Sequence, residues 1–194
     1  FIVARSWLLA NIERKHVLLG FDICNDDCCQ RYQGILNTTK KSNKISKLTF
    51  GQVITYDNKI CDARYSKSCG GITESFENVW VGNKISYLTS IKDTNSKGIP
   101  YCSTDIIPDS SLKTYIGNID EDGKYYRWNY KINHKDLIHS LKINFSLDVK
   151  KVLDINPTKI GLSSRIIKLE IIFLNTDNRT ENIKIISEYQ IRKI

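Results

Sequence analysis

Residues 165–176, RIIKLEIIFLNT, and residues 181–194, ENIKIISEYQIRKI, flank a polar turn at Asp177-Asn178. Branched apolar residues dominate both runs, and Asp-Asn accepts the backbone angles of a tight turn. The C-terminal third therefore reads as strand, turn and strand. Immediately upstream the period changes. In KYYRWNYKINHKDLIHSLKINF (124–145) alternating large side chains predict a strand through Trp128. Asn133 or His134 then opens a helix whose Leu137, Ile138 and Leu141 face a core.

The N-terminal part mixes the same two periods. FIVARSWLLANIERKHVLL (1–19) spaces Ile2, Val3, Trp7, Leu8 and Ile12 helically, puts Asn11, Glu13 and Arg14 on a polar side, and stops at Gly20. Residues Asn37 to Lys47 form a surface loop or a weak helix. GQVITYDNKICDARYS (51–66) predicts two short strands around Asp57-Asn58-Lys59, a turn slightly longer than the tightest hairpin. Gly70 and Gly71 interrupt the second strand, because glycine reaches backbone angles closed to other residues. Ser86 to Ser111 is a long irregular excursion with Pro100, Cys102 and Pro108, and 85–125 is a candidate lobe. The expected class is α+β: a mixed sheet, a few helices and long irregular loops within one domain.

Composition narrows the function. With 194 residues, 41% of them hydrophobic, the chain can bury a core without disulfide staples. The net charge of +8 comes mostly from scattered lysines, with no compact basic block and no nucleic-acid motif. No specific nucleic-acid partner is expected. No apolar run is long enough to cross a bilayer, so no transmembrane segment is expected. The helix at Phe1 starts without a capping residue and reads as cut.

The six cysteines, at 24, 28, 29, 61, 69 and 102, lack the paired rhythm of a zinc ribbon. Cys24, Cys28 and Cys29 can supply thiolates to zinc, with an imidazole or a distant cysteine completing the shell. Adjacent Cys28 and Cys29 point apart in most backbone states, which favours one of them in a shell over both. Free thiols, or disulfides to Cys61, Cys69 or Cys102, are the structural alternative. His16, His134 and His139 lie in no nucleophile motif, which argues against a cysteine protease. Asp26 and Asp27 read as turn residues. Glu74 and Glu77 form an acid pair only if their segment is helical. Thr73 and Glu74 read better as hydrogen-bonding groups along a groove, and Trp80 as core or as a stacking surface for a sugar.

The ordered series AR-S (4–6), CQRYQG (29–34), ICDARYSKSCGGITESFENVW (60–80), YL (87–88), WNYKINHKDLIHSL (128–141), INPTKIGLSSRIIKLEII (155–172) and terminal QIRKI resembles the SpoIID/LytB family. Those proteins act on bacterial peptidoglycan. Sporulation members are lytic transglycosylases, and relatives enhance a cell-wall amidase.

The resemblance implies a SpoIID-like fold over 1–194, truncated at both ends, and an extracytoplasmic, periplasmic or cell-envelope location in a bacterium. The family's acidic glutamate falls before Phe1, and its GHGVGMSQ-like motif falls after Ile194. No catalytic residue is expected within the chain. Matching positions imply a glycan groove of Gln30, Tyr32, Ser66, Ser68, Gly70, Gly71, Thr73 and Glu74. Some sporulation relatives bind zinc in the corresponding loop, which implies Cys29 and Cys24 as ligands; the family's histidine before CQ is here Cys28. The implied function is binding of peptidoglycan glycan strands and, in the complete parent, cleavage between N-acetylmuramic acid and N-acetylglucosamine. The alternative is a noncatalytic cell-wall module or a modulator of an amidase.

Overall fold

A computed structural model describes residues 1–10, 14–26, 28–30, 34–35, 38–111, 114 and 126–194. It divides into two compact units, Phe1–Ser66 and Lys67–Ile194. The segment expected as a lobe, 85–125, falls within the second; its residues 112–113 and 115–125 lie outside the described ones.

In the first unit α1 (Ile2–Ala10) is followed by a single 3-10 turn, Val17–Leu19, which Gly20 closes in the left-handed conformation. Residues 11–13 of the expected long helix are outside the described residues. The weak helix materialises as α2 (Lys40–Leu48). Thr39 accepts from the Ser42 amide, and Ser42 reciprocates, so a capping box offsets the poor propensity of KKSNKISKL. The hairpin of β1 (Thr55–Tyr56) and β2 (Lys59–Ile60) turns on Asp57-Asn58 alone. This turn is tighter than expected, because both residues adopt positive φ, 48° and 59°. Such angles match the twist of the flanking strands.

Ser6 ties this unit together. It is fully buried, donates to the Ile2 carbonyl and accepts from the Ile54 amide at 2.9 Å. The neighbouring Arg5 donates to the Thr49 and Gln52 carbonyls. The AR-S segment thus holds the turn after α2 and the approach to the hairpin.

The second unit is built on an antiparallel sheet ordered β3 (Lys151–Ile160), β4 (Ile166–Leu174) and β5 (Thr180–Ile186). Alternate residues of β4, Ile167, Leu169, Ile171 and Phe173, point into the core, as a half-buried strand requires. Onto them packs α4 (His134–Phe145), through Leu137 and the fully buried Leu141. Asn133 caps α4 by accepting from the Asp136 amide at 2.9 Å. The class is α+β. Both sheets are purely antiparallel, not mixed, because short turns link successive strands and no crossover connection separates them.

Three local expectations change. Residues 126–133 form no strand, and Trp128 and Tyr130 stand exposed, since no neighbouring strand pairs with this stretch. The last run ends in a helix: Ser187 accepts from the Gln190 amide and opens α5 (Glu188–Ile191). The strand across 151–160 was hidden by Pro157, which lacks an amide for the ladder. It sits in β3, whose one paired side is β4, beside a shift of register between Pro157 and Lys159.

Candidate functional site

The expected ligands Cys24 and Cys29 lie in a loop of the first unit, and the structure adds two residues to them. The Nε2 or Nδ1 atom of His16 and the sulfurs of Cys24, Cys28 and Cys29 all lie within 4.8 Å of one another. The Cys24 and Cys28 sulfurs are 3.1 Å apart, and Cys28 Sγ is 3.6 Å from His16 Nε2. Both adjacent cysteines therefore serve one cluster, against the expectation that one would point away. A turn explains it: the Cys29 amide donates to the Asp26 carbonyl at 3.0 Å. Asp27 is outside the described residues.

His16 is oriented by stacking on Phe21, with centroids 4.9 Å apart, and Gly20, in the left-handed conformation, turns the chain between the two rings. Lys15 donates to the Cys28 carbonyl at 2.8 Å. Four soft or borderline donors at such spacing match a tetrahedral metal shell. The cluster can hold a metal ion. Without one, the sulfurs compete for protons: hydrogen bonding to Cys24 raises the Cys28 pKa to about 11, while the same bond lowers that of Cys24. Sequence had offered an imidazole for this shell without naming it; the GF turn eight residues before Cys28 is the feature that brings His16 round.

The expected groove residues fall in both units. Gln30 and Ser66 belong to the first. Gln30 donates to the Ala4 carbonyl at 3.1 Å, which ties the CQ segment to the AR-S segment, and Ser66 is exposed. Tyr32 lies outside the described residues. Ser68, Gly70, Gly71, Thr73 and Glu74 belong to the second unit.

In that unit two of the recognised segments interlock. Glu74 accepts from the Ser75 amide at 3.0 Å, from Asn78 Nδ2 at 2.8 Å, and from both the amide and the hydroxyl of Ser163. Arg165 reaches back to the Cys69 carbonyl at 2.7 Å and the Ile72 carbonyl at 3.1 Å, bracketing the glycine pair. Its guanidinium also lies 3.5 Å from the buried Glu188. Gly161 has to be glycine, because a Cβ there would fall inside the Glu74 carboxylate.

Gly70 and Gly71 have φ of 70° and 100°. A Cβ on Gly71 would lie 2.6 Å from Pro100 Cγ. Thr73 accepts from the Ile91 amide at 2.8 Å, and its own amide donates to the Ile91 carbonyl. The polar groups of Thr73 and Glu74 are thus engaged within the unit. Burial pushes the Glu74 pKa up, but the hydrogen bonds from Ser163, Asn78 and Ser75 outweigh it and leave it below its ordinary value. A carboxyl held as the anion is a poor proton donor. Glu77 lies in the first turn of α3 (Phe76–Val79) while Glu74 precedes the helix, so the two do not share a helical face. Trp80 packs on Tyr189, with ring centroids 4.7 Å apart.

A family model described as a domain of unknown function (DUF8618) matches residues 74–194, which begin at Glu74 and run through the three-stranded sheet. No curated protein matches the chain. Among the described residues no helix is long and apolar enough to cross a membrane.

Proposed function

The chain belongs to the DUF8618 family, and from that premise we propose that it binds the glycan strands of bacterial peptidoglycan, with a zinc ion shaping the loop at His16–Cys29. The observation that carries this reading is the His16, Cys24, Cys28 and Cys29 cluster. Its mixed histidine and cysteine donors are of the kind that the SpoIID/LytB resemblance implies for this loop, although the histidine here is His16 and not the residue before the CQ pair. Three thiolates and one imidazole suit zinc, whose structural sites are closed by four protein ligands. Here zinc would hold a loop and take no part in bond breaking.

In the complete parent the proposed chemistry is lytic cleavage between N-acetylmuramic acid and N-acetylglucosamine. An upstream glutamate protonates the bridging oxygen as the glycosidic bond breaks, and the resulting carboxylate, or a substrate group, takes the proton of the muramic C6 hydroxyl as that oxygen closes onto the anomeric carbon. The groove wall contributes position, not protons. The second reading for this chain is a noncatalytic cell-wall module or amidase modulator in the cell envelope; under either reading Glu74, its carboxylate saturated by hydrogen bonds, is structural.

Incubation of purified glycan strands with the full parent and with this chain, followed by mass spectrometry, tests both. Anhydromuramyl products from the parent alone support cleavage with this chain as the binding part. If neither yields them and sedimentation with sacculi still carries the chain down, the noncatalytic reading stands. Failure to sediment, with no products, sinks both. Elemental analysis of protein purified under reducing conditions should find about one zinc per chain; its absence would remove the metal from the proposal.

A further inference from the structure

Two cysteines of the second unit stand apart from the metal cluster and from the glycan reading. Cys69 is buried and Cys102 half-buried, with their sulfurs 3.9 Å apart. They are the only cysteines between Lys67 and Ile194. A disulfide needs about 2.05 Å, so the sulfurs have roughly 1.9 Å to close. Gly70 and Gly71 follow Cys69 directly in positive-φ conformations. Opposite, the Ser103 amide donates to the Pro100 carbonyl at 2.9 Å, and this turn presents Cys102. Pro100 lies against Gly71, so the two loops already touch beside the sulfurs.

The surroundings of the two sulfurs differ. Cys69 Sγ donates to Asp93 Oδ2 at 3.3 Å and accepts from the Gly71 amide at 3.3 Å. The Ser68 hydroxyl is buried, and of the two thiols it acts on Cys102. We propose that Cys69 and Cys102 form a thiol–disulfide exchange site that takes a small-molecule disulfide and closes into a bond linking the Gly70-Gly71 turn to the 100–103 turn. Cys102 is the attacking sulfur and Cys69 the resolving one.

The protonation states support these roles. Burial pushes the Cys69 thiol up to about 11. Burial acts the same way on Cys102, but hydrogen bonding from Ser68 and from the Gly70 amide outweighs it and lowers that pKa. The Cys102 thiolate, its proton released to solvent, attacks one sulfur of RSSR. The S–S bond breaks and RS⁻ leaves, taking a proton from solvent. Cys69 releases its proton to solvent and attacks the Cys102 sulfur of the mixed disulfide. The second RS⁻ is expelled and takes a proton from solvent. Two protein thiols and RSSR become one protein disulfide and two RSH.

The test exposes the whole chain to oxidised glutathione, quenches with acid, and maps disulfides by tandem mass spectrometry. The expected product is a Cys69–Cys102 peptide pair that forms at least about tenfold faster in the native chain than in guanidinium. Equal rates in the two conditions, or no such pair, would overturn the proposal. Variants then assign the roles. Cys69→Ser should trap glutathione on Cys102, whereas Cys102→Ser should leave Cys69 unmodified over the same interval. The reverse pattern overturns the assignment. The native-against-denatured comparison stands even if a variant folds poorly.

Discussion

Glu74 shows how a single acidic residue can invite two opposite roles. In sequence it stands beside Thr73 in a stretch that reads as a groove, three positions from a second glutamate. In the structure its carboxylate accepts four hydrogen bonds, two of them from Ser163 on a distant turn. Replacing it by alanine leaves those donors unsatisfied and should cost about 2 kcal/mol of stability to denaturant. The pH dependence has a definite sign. The folded pKa lies below the ordinary 4.5, so the stabilisation is fully present above 4.5 and is lost as pH falls through the folded value. The stability gap between wild type and Glu74→Gln should therefore be constant near neutrality and narrow in acid. A gap that widened below pH 4.5 would contradict the assignment. Gly161→Ala should destabilise through the same contact, since its methyl group displaces the carboxylate. The double variant should lose less than the sum, because both changes break one network.

At the scale of elements, what was legible depended on whether the signal was local. The α4 helix is announced by Asn133 and by the spacing of Leu137 and Leu141, and the structure keeps all three in those roles. Its strength can be measured. Asn133→Ala removes the side-chain acceptor of the Asp136 amide and should cost about 1 kcal/mol, read as a lower unfolding midpoint with an unchanged denaturant slope. Leu141→Ala, at a fully buried position against β4, should cost about 3 kcal/mol. Strands need partners that lie far away in sequence, and there the reading was weaker. KYYRWNY alternates like a strand, yet residues 126–130 form no strand pairing among the described residues and leave Trp128 exposed. The 151–160 strand carries a proline and is held by its register with β4. The metal cluster divides similarly: its cysteines were visible as a group, whereas His16 joins only through the turn at Gly20.

At the scale of the molecule, each unit has its own source of order. The second has a sheet and helix packed around Leu141, Ile171 and Phe173, an apolar core that needs no ion. The first has short elements joined by polar contacts: Ser6 to Ile54, Arg5 to the turn at Thr49 and Gln52, and Gln30 to Ala4. Its exposed Leu18, Leu19 and Phe21 surround the loop that carries the cysteines, so apolar burial contributes little there. A metal bound at His16, Cys24, Cys28 and Cys29 would contribute its binding free energy to the folding of this unit. Chelation should then act unevenly. Hydrogen exchange after treatment with a strong chelator should accelerate at amides of residues 14–30, while those of β4, 166–174, keep their protection. Readdition of zinc should restore the first set. Unchanged exchange in the loop would show that the four side chains gather without needing an ion, and equal acceleration in β4 would show that the sheet depends on it as well.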